Sequence, residues 1–324
     1  MRERSEVTLP DGVHLHVESS GPANAPLTVV LLHGWCLDRR TWHHQLAALE
    51  ALTDTSPRII TYDTRGHGRS GSTRLRSATL SQLGDDLAEV LRRFAPEGPV
   101  VLAGHSMGGM TIMEYAHTHP REFAARIAGL LFVSTTAEGH THTQYGLPQH
   151  LAMLMRAGEM IGAGVLARSG SWRPHRAMMP ALRPAIRWLL FGDEYPDAAL
   201  RVTMKSVGRA SLRSIGGFRA SVGAQQRLET LAALGDVPTA VLVGDRDRLT
   251  PPPCAASIAE ALPGTDLTVF PGAGHMLMLE RPDEVSAALV GIVQRAAGST
   301  RRERAGRRRR AVAHEEHRGY DQAA

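Results

Sequence analysis

The chain opens on two short segments in which hydrophobic and polar residues alternate. These segments, residues 7–10 and 13–17, flank Asp11-Gly12, a dipeptide typical of tight hairpin turns. Further along, short apolar runs predict strands over residues 27–32, 58–62, 99–103, 127–134, 237–243 and 267–270. The nearly continuous apolar runs at 27–32 and 99–103 predict strands that are buried in the sheet.

Helical spacing of apolar residues falls between these strands. It predicts helices over residues 41–52, 80–94, 107–117, 255–261 and 282–295. Because strands and helices alternate, the sequence predicts an α/β fold with a mostly parallel sheet of the eight-stranded type and helices on both faces.

The alternation breaks off between residues 137 and 223, which we name the cap segment. It is expected to be mostly helical and to cover the carboxyl edge of the sheet. It contains six of the twelve methionines, together with Trp172, Trp188, Phe191 and Phe218. Such side chains are expected both in the interior of a cap and in the wall of a substrate pocket.

The predicted core consists of residues 1–136 and 224–296, with the cap segment inserted between them. Residues 297–324 are rich in arginine and nearly free of apolar residues, which predicts a disordered tail.

The formal net charge of +5 is unevenly distributed. Residues 139–223 carry ten arginines and one lysine against four acids, and residues 297–324 carry eight arginines against four acids. One interpretation is that the arginines of these two segments form a basic surface exposed to solvent. The sharper alternative is that the cap segment or the tail attracts anionic substrates or makes a weak contact with an anionic surface. For nucleic acid, the tail predicts non-specific contact only.

Composition narrows the class of protein further. With 43% hydrophobic residues over 324 positions, the chain can bury a large core, which excludes disorder for most of it. Cys36 and Cys254 are the only cysteines, and we expect no bond between them. No apolar run is long enough to cross a membrane and the first residues do not resemble a secretory signal, so a cytoplasmic location is expected.

Residues 104–108, Gly-His-Ser-Met-Gly, fit the pattern G-x-S-x-G between a predicted strand and a predicted helix. A serine at such a tight turn has strained backbone geometry and an exposed hydroxyl, and Gly104 and Gly108 let strand and helix approach each other. The N-terminus of the helix also points N–H groups at any oxyanion that forms there. Ser106 is therefore the predicted nucleophile.

A serine hydroxyl needs a general base, and the base needs a carboxylate that orients it. His275 follows the predicted strand over residues 267–270, so it lies at the same sheet edge as Ser106. Asp245 and Asp247 both follow the strand over residues 237–243, and the residues alone do not separate them as the orienting acid.

With these residues the chain resembles the α/β-hydrolase superfamily, in particular its capped serine esterases and cofactor-free haloperoxidase-like members. The resemblance covers about residues 7–296. Beyond the motif around Ser106, it rests on His33-Gly34-Trp35 and on D-T-R-G-H-G-R-S at residues 63–70. It also rests on the glycine three residues before Asp247, a spacing that favours Asp247 over Asp245 as the acid, and on the chain order serine, aspartate, histidine.

The resemblance implies an oxyanion hole formed by the backbone N–H groups of Trp35 and Met107. Related dehalogenases and epoxide hydrolases carry aspartate where this chain has Ser106, so the resemblance favours acyl transfer to water. The implied activity is hydrolysis of small to medium hydrophobic carboxylic esters. Cleavage of activated carbon–carbon bonds, peracid formation, acyl transfer to an alcohol and a hydrolase-like receptor with slow turnover stay open as alternatives.

The remaining histidines and cysteines have structural interpretations. Pairs such as His14 and His16 lack the spacing of a metal site, and H-E-E-H at residues 314–317 lacks the i, i+4 pair of a zinc helix. We therefore expect no metal and no cofactor. His105 and His33 are expected to be structural, and Cys36 a packed free thiol. The expected partner is a small-molecule ester, and the sequence predicts no particular oligomeric state.

Overall fold

The structure is a computed structural model that describes residues 2–173 and 179–299. The strands are β1 (Glu3–Thr8), β2 (His14–Ser20), β3 (Thr28–Leu32), β4 (Arg58–Tyr62), β5 (Val100–His105), β6 (Ile127–Val133), β7 (Thr239–Gly244) and β8 (Asp266–Phe270). The helices are α1 (His43–Glu50), α2 (Leu80–Phe94), α3 (Met107–Thr118), α4 (Pro120–Arg126), α5 (Gln149–Arg168), α6 (Met179–Leu190), α7 (Asp197–Val207), α8 (Leu212–Gly217), α9 (Arg219–Gly223), α10 (Leu228–Ala232), α11 (Pro252–Ala261), α12 (Leu277–Glu280) and α13 (residues 282–299).

All eight strands form one sheet in the order β1-β2-β4-β3-β5-β6-β7-β8. The pairs β1–β2 and β2–β4 are antiparallel, and every other pair is parallel. The mostly parallel, eight-stranded sheet predicted from the sequence is therefore confirmed. As a consequence, the carboxyl ends of β3, β5, β7 and β8 all lie along one edge of the sheet.

Both faces of the sheet are covered, as the continuous apolar strands predict. Along β3, Val30 and Leu32 pack in one hydrophobic cluster with residues of α2 and α3. Val29 and Leu31 point to the other face, where they pack with residues of α1 and α13. The strands are thus held from both sides, which gives the loops at their ends a rigid base.

The predicted elements differ from the observed ones mainly at their ends. The predicted helix over residues 41–52 begins with a 3-10 turn, Arg39–Trp42, and continues as α1. Helix α4 was not predicted, although Pro120 marks its start because the fixed φ of proline suits the first turn of a helix.

The cap segment is largely helical and contains α5 to α9 within the described residues. It is tied to the carboxyl edge of the sheet: the Ser211 N–H donates to the Gly66 carbonyl at 3.0 Å, and the His275 N–H donates to the Leu190 carbonyl at 3.0 Å. Residues 174–178 of this segment lie outside the described residues.

The predicted start of the tail at residue 297 is wrong. Helix α13 continues to residue 299, and Ala296 and Ala297 are buried against the core, because apolar side chains persist for one more helical turn. The rest of the predicted tail, residues 300–324, lies outside the described residues. Of the helices that the structure describes, none combines the length and the apolar character needed to cross a bilayer. The cytoplasmic location stays a prediction.

Candidate active site

Ser106 occupies a strained turn between β5 and α3. Its backbone has φ 51° and ψ −119°, a conformation that residues with a Cβ rarely adopt. The surroundings hold it there: its N–H donates to the Val133 carbonyl at 3.0 Å, and its own carbonyl accepts from the Gly109 N–H at 2.9 Å and from the Thr135 hydroxyl at 2.7 Å. Ser106 is also the only residue from Val100 to Ala116 that is not buried, so its hydroxyl is accessible.

The glycines around Ser106 are required by close backbone approach. A Cβ on Gly104 would lie 2.5 Å from the Gly109 nitrogen, and a Cβ on Gly108 would lie 2.3 Å from the Leu32 carbonyl oxygen. Neither position can carry a larger residue without moving the backbone of β3 or α3.

Asp247 and His275 meet in the loops that follow β7 and β8. The His275 Nδ1 lies 3.0 and 2.9 Å from the two Asp247 carboxylate oxygens. Because a carboxylate only accepts hydrogen bonds, Nδ1 carries a proton, and the neutral form of the ring therefore has its lone pair on Nε2. An imidazole in this tautomer can accept a proton from a hydroxyl at Nε2.

Further donors hold the Asp247 carboxylate in place. One oxygen accepts from the backbone N–H groups of Leu249 and Thr250, each at 2.9 Å, and the other accepts from the Thr250 hydroxyl at 2.9 Å. Burial raises the pKa of Asp247, but the His275 imidazole and the bonds from Thr250 more than offset this, so the pKa lies below its ordinary value. The group is therefore an anion near neutral pH.

Asp245 has different partners. One of its oxygens accepts from the Gly272 N–H at 2.7 Å, and the side chain lies beside Arg246 at the surface. Of the two carboxylates that the sequence offers, Asp247 is the one bonded to His275.

The loops that carry Ser106, His275 and Trp35 pack directly on one another. The His105 ring donates from Nε2 to the His275 carbonyl at 2.9 Å. A Cβ on Gly34 would lie 2.6 Å from His105 Nδ1 and 3.1 Å from the Ser106 Cβ. Burial holds the pKa of His105 well below its ordinary value, so the ring is neutral. His105 thus joins the loops, which agrees with its expected structural role.

The backbone N–H groups of Trp35 and Met107 have no hydrogen-bond partner within residues 2–173 and 179–299. The side chains of both residues are anchored on the cap segment. The Trp35 indole donates to the Ser214 carbonyl at 3.4 Å, and Met107 packs in an apolar cluster with Phe218 and Val222. Helices α8 and α9 therefore help to set the position of two N–H groups beside Ser106.

His33 connects the loops that follow β3 and β4, in agreement with its expected structural role. His33 donates from Nδ1 to the Gly34 carbonyl at 2.8 Å and accepts the Thr64 N–H at Nε2, at 2.9 Å. Cys36 and Cys254 are both free, and burial raises the pKa of the Cys36 thiol to about 12, which disfavours the nucleophilic thiolate. No cluster of three or more His, Cys, Asp or Glu side chains in the described parts of the chain is arranged to hold a metal ion.

Sequence reasoning missed Glu280. This carboxylate is only 5% exposed, and it accepts the backbone N–H groups of Gly192 and Gly274, each at 2.9 Å, and of Met276 at 3.1 Å. It therefore ties the loop that carries His275 to the end of α6. Burial raises the pKa of Glu280, and the three N–H groups offset this only in part. One feature of the sequence could have pointed to Glu280: it is an acid that directly follows the apolar residues 277–279, Leu-Met-Leu.

If His275 is the base that the sequence predicts, we expect Glu280→Gln to lower kcat about tenfold and to change KM much less, because a small displacement of such a group is costly. If the amide oxygen keeps the bonds to Gly192 and Gly274, the NH2 group faces the Met276 N–H, and two donors then meet. The measurement is kcat, KM and the thermal midpoint.

Glu284→Gln, at an exposed position on α13, is the matched control and should change none of the three. A lowered thermal midpoint with an unchanged kcat would mean that Glu280 stabilises the fold without positioning His275.

Comparison with known proteins agrees with this architecture. Residues 29–288 match the model of the alpha/beta hydrolase family. The chain is 29% identical to the proline iminopeptidase PfmaB of Pestalotiopsis fici over 285 residues, which cover 85% of this chain and 94% of that protein.

Solved structures are similar over the same range. The esterase EaEST from Exiguobacterium antarcticum superposes with a TM-score of 0.73 at 21% identity, covering 90% of this chain and 99% of the other. A thermophilic esterase from Thermogutta terrifontis superposes with a TM-score of 0.69 at 25% identity, covering 91% and 99%. Since the family model spans most of the chain, the protein belongs to the alpha/beta hydrolase family.

Proposed function

We propose that the protein is a serine hydrolase that cleaves carboxylic esters of small to medium hydrophobic substrates through an acyl-enzyme. The hydrogen bond between Asp247 and His275 carries this proposal, because it leaves the Nε2 lone pair free to act as a base. The strained, accessible Ser106 at the same sheet edge supports its role as the nucleophile.

In the proposed acylation step, His275 accepts the Ser106 proton while the Ser106 oxygen attacks the ester carbonyl carbon. The carbonyl oxygen becomes an oxyanion, which the N–H groups of Trp35 and Met107 stabilise. The tetrahedral intermediate then collapses, the bond to the alcohol oxygen breaks, and His275 gives its proton to the leaving alcohol. Asp247 holds the ring and stabilises the imidazolium.

Deacylation repeats these events with water as the nucleophile. His275 takes a proton from water, the hydroxide attacks the acyl carbon, and the bond to Ser106 breaks as the proton returns to the serine oxygen. The acid product and the free enzyme result, and no other reactant is consumed.

The surroundings of the two N–H groups support a hydrophobic substrate. Met107, Met110, Phe218 and Val222 form an apolar cluster with Trp35 packed against it. An apolar acyl or alcohol group is favoured next to such a surface. The Thermogutta terrifontis structure is named as an esterase, which is consistent with an ester substrate.

Covalent labelling with a fluorophosphonate and rates on p-nitrophenyl esters from acetate to laurate test the proposal together. We expect the label on Ser106 and fast turnover that peaks at short to medium acyl chains. Labelling at another residue, or labelling of Ser106 with about one turnover per protein on every ester, would contradict the proposed esterase.

A further inference from the structure

Helix α5 carries its apolar side chains outward. Leu154, Ile161 and Val165 are 68%, 73% and 63% exposed. From residue 151 to residue 165, every exposed position on this helix is apolar. A helix on the surface of a protein in water normally has the opposite arrangement.

The charged residues in the middle of α5 point inward. Glu159 accepts hydrogen bonds from the Tyr145 hydroxyl at 2.8 Å and from Arg219 at 2.7 Å. Arg156 donates to the His140 carbonyl at 3.3 Å. The charged side chains on the inner face of α5 thus have hydrogen-bond partners, and rotating the helix to bury its apolar face would break those hydrogen bonds.

The exposed apolar residues are concentrated in this region. Among the described residues, nine of the twelve large hydrophobic residues that are exposed fall between residues 151 and 188. Isolated apolar residues on a surface need no explanation, whereas a concentration of this kind marks a surface that contacts something.

Cations and a tryptophan stand at the carboxyl end of α5. Arg168 closes the helix and Trp172 is 50% exposed. Arg213 lies beside them, because its N–H donates to the Gly170 carbonyl at 3.0 Å. Glu159 is the only acid in residues 149–173, and it faces inward.

We propose that the exposed face of α5 docks on an anionic lipid surface. The helix lies parallel to that surface, with Leu154, Ile161 and Val165 among the acyl chains and Arg168, Trp172 and Arg213 at the headgroups. Apolar side chains on one helix face, flanking cations and a tryptophan are the features by which helices bind such surfaces. The inference does not depend on the chemistry proposed for Ser106.

Charge decides between the lipid surface and other occupants. Arg168 and Arg213 stand beside the exposed face, and Glu159, the only acid in residues 149–173, points inward, so a second copy placed against this face would bring like charges together. The arginine-rich segment beyond residue 299 has the same sign and is repelled as well. An anionic lipid surface supplies both the apolar medium and the opposite charge.

Co-sedimentation of the full chain with phosphatidylcholine vesicles, with and without phosphatidylglycerol, tests this inference. We expect binding to the anionic vesicles that weakens as salt is raised, and much weaker binding to the neutral ones. The double variant Leu154→Ser with Ile161→Ser should lower partitioning to anionic vesicles by about tenfold or more. Arg168→Gln with Arg213→Gln should also lower it by about tenfold.

Leu267→Ser with Val269→Ser is the matched control, because it removes two exposed aliphatic side chains from β8, away from the cap segment. It should bind like the unmodified chain. Equal binding to neutral and anionic vesicles, or equal partitioning of the α5 variant and the β8 control, would overturn the proposal. So would a dimer in gel filtration that the α5 variant dissociates, in the absence of vesicle binding, since a second copy would then cover this face.

Discussion

Replacing Ser106 with alanine is expected to lower kcat for ester hydrolysis by about 10,000-fold or more. In the proposed mechanism the variant removes the oxygen that forms the acyl-enzyme, whereas His275 and the N–H groups of Trp35 and Met107 stay in place. Alanine also has a Cβ, so it meets the same strain at φ 51° as serine, and the thermal midpoint should change little. Fluorophosphonate labelling should disappear with the activity.

Ser134→Ala is the control for this variant. Ser134 also follows a parallel strand, is buried and has a positive φ of 45°, but its hydroxyl has no partner among the described residues. Its loss should change kcat by less than about threefold. If Ser106→Ala keeps most of the activity while Ser134→Ala loses it, the proposed nucleophile is wrong.

The centre of the sheet was predictable because strands β3 to β7 are buried on both faces. Such strands are continuous apolar runs, and each of them ends at a loop whose glycines and polar residues mark the change of structure. The turn around Ser106 is an example, since the backbone at Gly104 and Gly108 is too close to its neighbours for any side chain. The local sequence motif and the tertiary packing therefore require the same residues there.

Contacts between distant residues were less predictable. The choice between Asp245 and Asp247 depends on which side chain the loop after β7 turns toward His275, and only the spacing that the family resemblance supplies favoured Asp247. Glu280 is a similar case: its partners are backbone N–H groups, which leave no trace in the side-chain sequence.

Helix α5 shows a different reason for failure. Its methionines and aliphatic residues predict the interior of a cap or the wall of a pocket, because apolar residues are normally buried. The structure turns many of them outward, since the inward face carries the small residues Ala152 and Ala163 together with Arg156 and Glu159 and their partners. Composition gives the amount of apolar surface in a segment and not the direction in which that surface points.

Replacing Asp247 with asparagine is expected to lower kcat by about 1,000- to 10,000-fold, and the hydrogen bonds around this residue give the reason. One carboxylate oxygen accepts two backbone N–H groups, from Leu249 and Thr250, so the amide oxygen of asparagine takes that position. The NH2 group then faces His275 Nδ1, where the second oxygen now lies at 2.9 Å.

An NH2 group donates, so Nδ1 becomes the acceptor and the imidazole proton moves to Nε2, where it blocks the acceptance of the Ser106 proton. Asp245→Asn is the matched control: an asparagine oxygen can still accept the Gly272 N–H, and kcat should fall by less than about threefold. The measurement is kcat for both variants on the best p-nitrophenyl ester, with thermal midpoints to show that each one folds. A large loss in Asp245→Asn together with a small one in Asp247→Asn would reverse the assignment of the acid.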